Sequence, residues 1–216
     1  MVACPRGTGS AATRAVGGTL DRWFELTSIV PLSAFALLHV VSYALALGGV
    51  VEVGERASPS LAWRVLEVFV VWVPLLAHVA FSPGVYARRR REPAPGPSFR
   101  ASLVAHRVAG PVLAVFLVDH FIRFRWPIVR GVRYPAESLG VLAAELSRTT
   151  AGVPWVAGLH VLGVLALAFH LSFGLFRVAS RYPERIAPGR AAWICATVGV
   201  LTALVGTFTI IRLAAG

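Results

Sequence analysis

PWVAGLHVLGVLALAFHLSFGLFRVA, residues 154–179, carries one arginine, no acidic residue and two histidines, His160 and His170. An α-helix needs about 20 apolar residues to cross a bilayer, so this run is long enough to span. Working outward, four other stretches read the same way: Trp23–Leu47, Ala62–Ala87, Ala101–Phe124 and Ala191–Leu213. The chain has 216 residues, of which 56% are hydrophobic and 14% charged. That is too apolar for a soluble domain of this size. The expected fold is all-α, an integral membrane bundle of five transmembrane helices. A flexible tail, residues 1–20, precedes a single membrane domain, residues 21–216.

The net charge is +11 and all 21 basic residues are arginine. A basic balance fits nucleic acid in general, but these arginines crowd into loops beside apolar spans, as the positive-inside rule requires. With the N-terminus and the second and fourth loops on one side, that side holds twelve arginines against eight, and Arg107 lies within the third span. The run Arg88–Arg91 is the strongest signal, and it makes the N-terminus cytoplasmic. The polar stretch up to Asp21 lacks the basic-then-apolar order of a signal peptide. Two cysteines, Cys4 and Cys195, make no disulfide framework, and no C-x-x-C or C-x-x-C-H occurs. Between the third and fourth spans, Leu139, Leu142 and Leu146 recur at helical spacing, which predicts a short helix over Pro135–Arg148 lying in the outer interface.

All six histidines, His39, His78, His106, His120, His160 and His170, fall inside these apolar stretches. Ionisable groups at membrane depth are rare and mark function. At a rise of about 1.5 Å per residue, alternating spans put His39 and His120 at one depth, nearer the outer surface. His78 and His170 share a second depth, nearer the inner surface. Two imidazoles facing each other from different helices are the ligand set of a b-type haem, and a low-dielectric bundle suits the macrocycle. Gly110, Gly158, Gly163 and Gly174 would let helices approach it closely. A rival scheme places two histidines fourteen apart on each of two helices. His106 and His120 fit that spacing, but His160 and His170 are ten apart and roughly 80° out of phase, so the scheme fails. His106 and His160 are left outside the pairs as hydrogen-bonding residues of the bundle. His106 and its neighbour Arg107 are also placed to touch a propionate or quinone.

The segments around these histidines resemble the membrane-anchor cytochrome b subunits of succinate dehydrogenases and fumarate reductases, in their five-helix, two-haem form. They are Pro31-x7-His39, Leu66-Glu67-Val68-Phe69 with Pro74-x3-His78, Arg107-Val108-Ala109-Gly110 with Asp119-His120, and Phe169-His170-Leu171-Ser172-Phe173-Gly174-Leu175. The resemblance covers residues 20–213, and its specificity lies in the ordered set. It implies the same pairs as the depths do: His78 with His170 for an inner haem b, His39 with His120 for an outer one. Two departures stand out. Ser82, before Pro83 and Gly84, replaces a common glycine, so the helix end there is expected to bend differently from the family's. The interval from His120 to His170 is also long.

The resemblance further implies a flavoprotein subunit and an iron–sulfur subunit as partners, the cytoplasmic membrane of a prokaryote as location, and quinone, of the menaquinone kind, as electron acceptor. Succinate oxidation or fumarate reduction would occur on the partners, and this chain alone would have no dehydrogenase activity. Arg123 and Arg125 beyond His120, and Arg177 and Arg181 beyond His170, are candidates to bind propionates, or else interfacial anchors. Glu67 and Asp119 are candidates for a quinone or proton path. Each could instead pair with an arginine, Arg64 and Arg123 respectively. The alternatives to this reading are the cytochrome b anchor of another respiratory complex, or a haem-free transporter or assembly protein.

Overall fold

The computed structural model describes residues 29–49, 65–89, 96–132, 138–180 and 186–215. The tail, Arg64, Arg181 and the whole Arg88–Arg91 run lie outside this set or have undescribed side chains. The described chain is helical, with one isolated bridge between Thr150 and Val153. Its elements are α1 (Val30–Leu47), α2 (Val73–Arg89), α3 (Pro97–His120), α4 (Trp126–Val129), α5 (Ser138–Ser147), α6 (Trp155–Ala179) and α7 (Pro188–Ala215). Five helices are long and apolar enough to cross a membrane: α1, α2 with the turn before it, α3 with the turn after it, α6 and α7. Their outward faces expose large apolar side chains such as Leu38, Leu76, Val115, Leu165 and Leu204. An apolar surface this extensive fits lipid as the solvent.

Two π-helical turns interrupt the spans, Val68–Trp72 ahead of α2 and Phe121–Arg125 after α3. Each ends two residues before a proline, Pro74 or Pro127. Proline cannot donate to the carbonyl four residues back, and its ring crowds that oxygen. The crowded carbonyls belong to Val70 and Arg123, inside the two π turns, and the wider turn relieves the clash. Pro83 does not have this effect. The helix continues through it to Arg89, and the Ser82 hydroxyl donates to the His78 carbonyl.

The core is a row of helices in the order α3, α6, α7, with α1 packed on α7 and on the π turn before α2. The α6–α7 contact is the most extensive and is built on small residues. A Cβ added at Gly199 would lie 2.8 Å from Ser172 Cβ, and one at Gly206 would lie 2.6 Å from Val164 Cγ1. Across the same seam, the Ser172 hydroxyl donates to the Cys195 carbonyl at 2.7 Å. Close approach of this kind, with an interhelical hydrogen bond, is how helices associate in lipid, where hydrophobic burial gives no advantage.

The segment after the third span forms a helix, as its leucines predict. Leu146 is fully buried and Leu142 nearly so, in a cluster with Ala157, Val164, Ile210 and Leu213. Thus α5 turns its leucine face into the ends of α6 and α7.

Candidate functional site

The six histidines gather into two groups, one toward α5 and one toward the far end. In the group near α5, the rings of His39 on α1 and His120 at the end of α3 have centroids 6.0 Å apart and planes at 86°. His160, on the first turns of α6, joins them with its ring centroid 5.5 Å from that of His120. Tyr43 and Phe124, beside His39 and His120, also pack on the α5 cluster and fix this end of the bundle. In the far group, His78 on α2 and His170 on α6 have centroids 6.1 Å apart and planes at 84°. His106 on α3 stacks on His170, with centroids 4.1 Å apart and planes at 17°. His160 and His170, ten residues apart on α6, set the axial spacing of the two groups at about 15 Å.

Both cross-helix pairs have dimensions suited to a haem. A metal–imidazole bond of about 2 Å places the centres of two rings on opposite faces of one iron roughly 6 Å apart. Each ring can rotate about the metal axis, so near-perpendicular planes are compatible with shared ligation. Neither pair joins two helices that pack extensively on one another. The histidines therefore reach across separations rather than through a tight seam. The Nδ1 atom of His106 is buried with no hydrogen-bond partner, an arrangement costly unless the site has a polar or metal partner. Among the described residues, no three His, Cys, Asp or Glu side chains converge on a bare metal ion. A macrocycle that brings its own in-plane nitrogens asks for only two protein ligands.

The expected glycines divide. Gly110 faces His170, where an added Cβ would lie 3.4 Å from Cε1. Gly174 faces His106 at 3.8 Å. Gly158 has open space around it and supports no close approach. Gly163 is the most constrained, since its Cβ would fall 2.3 Å from Phe116 Cγ. The Phe116 ring in turn lies 5.5 Å from that of His120 and 5.2 Å from that of His160. Gly163→Ala is therefore expected to displace Phe116 and, through it, His120. Were a haem held between His39 and His120, its absorption band should change more than that of one held between His78 and His170. A spectrum identical to the parent would show that Phe116 moves without disturbing the ligand.

The acidic candidates are held in ion pairs. Asp119 binds Arg123 Nε at 2.8 Å, and Glu145 on α5 lies 3.4 Å from Arg123 Nη1. Glu67 accepts from Arg125 across 58 residues of chain, and from Trp72 Nε1 at 3.0 Å. Arg125 is thus a partner of Glu67 that the sequence did not suggest, while Arg64 lies outside the described residues. Arg123 pairs with two carboxylates and so ties the end of the third span to α5. Arg107 and Arg177 belong to the far end with His106 and His170. A cleft of about 170 Å³ beside Arg123 and Glu145 is also lined by Arg148, Thr150, Trp155 and Val156. It is smaller than the roughly 300 Å³ at which small-molecule sites begin, and neither Glu67 nor Asp119 lines it.

Sequence reasoning missed Trp72, Phe116, Phe124 and Glu145. Only Glu145 left a signal, as a polar position flanking the leucine stripe of α5.

Comparison with known proteins agrees with the motifs. The chain is 26% identical over 173 residues to the succinate dehydrogenase cytochrome b558 subunit of Bacillus subtilis (strain 168), an alignment covering 77% of this chain and 81% of that one. No family model matches the sequence. No solved structure matches it either. In sequence the chain is thus similar to a succinate dehydrogenase cytochrome b subunit, and its described residues form five helices long and apolar enough to cross a membrane.

Proposed function

We propose that this chain is the membrane-anchor cytochrome b subunit of a succinate:quinone oxidoreductase or fumarate reductase. It would carry electrons from an iron–sulfur subunit, across two b haems, to quinone of the menaquinone kind. The observation that carries this reading is the pair of imidazole–imidazole separations, 6.0 and 6.1 Å, between different helices in two separate groups. The name of the relative supports the family context.

In this reading His39 and His120 hold one haem iron, and His78 and His170 hold the other. Bound haem supplies reversible one-electron chemistry at each position. The protein contributes axial imidazoles, an apolar surround that raises the cost of charge, and helix ends that hold propionates. Arg177 and Arg107 are placed for the propionates of the His78–His170 site. Arg123 positions Asp119 and Glu145 at the other end, where quinone reduction needs protons. The flavoprotein and iron–sulfur subunits dock on the cytoplasmic face, marked by the Arg88–Arg91 run, and the complex sits in the cytoplasmic membrane.

The direct test is haem per polypeptide in the full chain purified from haem-replete membranes, measured by the reduced pyridine haemochrome spectrum. About two b-type haems are expected. A folded protein with none rejects the cytochrome reading.

A further inference from the structure

His160 is the most buried histidine, at 4% exposure, and pairing by depth leaves it without a role. Its Nδ1 lies 2.9 Å from the Val156 carbonyl one turn back. A carbonyl only accepts, so the ring proton of His160 sits on Nδ1 and its Nε2 carries a lone pair. That Nε2 lies 3.4 Å from Nδ1 of His120, a long hydrogen bond. His120 must then donate from Nδ1, which leaves its own Nε2 as the free donor to a metal. The rings of Phe116 and Phe124 meet His160 nearly edge to face, at 87° and 82°, and hold it in this orientation.

We propose that His160 is a positioning residue for the haem ligated by His39 and His120. It fixes the tautomer and orientation of the His120 imidazole and strengthens it as a ligand. The chain of bonds runs from Val156 carbonyl to His160 to His120, and ends at the ligating nitrogen. Partners of this kind behind a ligating histidine raise its basicity, and a more basic ligand favours ferric iron. In the other group the third histidine, His106, stacks on His170 with ring planes at 17°, so His160 lies beside one of the two ligand pairs alone. The proposal rests on the two-haem reading.

The test is a redox titration of the full chain in native membranes, following both haems, with haem counted in each variant. His160→Leu removes the acceptor and keeps the apolar packing, whereas His160→Gln restores an acceptor. In His160→Leu, one midpoint potential should rise while the other stays, and affinity for that haem should fall about 10–100-fold. His160→Gln should recover most of the parental behaviour. Unchanged potentials in His160→Leu overturn the proposal, as does equal disturbance of both haems. If His120→Ala keeps both haems while His160→Leu loses one, His160 is the ligand and the positioning role is wrong. A parent protein lacking haem would instead reject the cytochrome reading on which the proposal stands.

Discussion

Replacing His39 or His120 with alanine should remove one b haem per polypeptide, and replacing His78 or His170 should remove the other. The double variant His39→Ala/His120→Ala should lose no more haem than either single variant, because both residues serve one iron. The double variant His120→Ala/His170→Ala should lose both haems. This follows from geometry: the cross-helix rings lie 6.0 Å apart in one pair and 6.1 Å apart in the other, and each pair draws on two different spans. A single imidazole left on one face cannot hold the macrocycle as two can. The measurement is again the pyridine haemochrome count, with detergent gel filtration to show that each variant remains folded. Additive loss within a pair, or loss on replacing His106 alone, would mean that the ligands are paired differently. His106 stacks 4.1 Å from His170 and is the residue best placed to expose such an error.

Gly199→Leu should be the most destabilising single change outside the histidines. Even one added carbon at that position would lie 2.8 Å from Ser172 Cβ and 3.2 Å from the Ala168 backbone oxygen. The backbone oxygen cannot rotate away, so α7 would have to separate from α6. Overpacking of this kind typically costs about 1–3 kcal/mol, and separation would also stretch the bond from Ser172 to the Cys195 carbonyl. Gly206→Leu should act similarly through Val164, though a side-chain methyl yields more readily. Gly158→Ala is the control, since nothing lies within 4 Å of the added carbon. Thermal unfolding in detergent should show a clear drop in midpoint for Gly199→Leu and none for Gly158→Ala. Equal midpoints would mean that the α6–α7 seam is looser than its geometry implies.

The number of spans, their order and the depth of each histidine were legible in the sequence. Hydropathy records which residues meet lipid, and a rise of about 1.5 Å per residue converts position into depth. The short helix of the long loop was legible too, because Leu139, Leu142 and Leu146 recur at helical spacing. Where its leucines go was not, since periodicity marks a face without naming what covers it. Depth alone could pair His39 with His120, but it could not place His160 behind His120, because lateral neighbours are not written into the order of spans. The same holds for Glu67, whose partner Arg125 lies 58 residues away in the chain. In lipid, apolar burial does not select helix partners. Steric fit at Gly163, Gly199 and Gly206, and a few hydrogen bonds between spans, decide them. The sequence by itself therefore determined a five-span bundle with histidines at two depths. Only the tertiary structure decided which rings meet, because close contacts between distant residues choose among helix arrangements that hydropathy treats as equal.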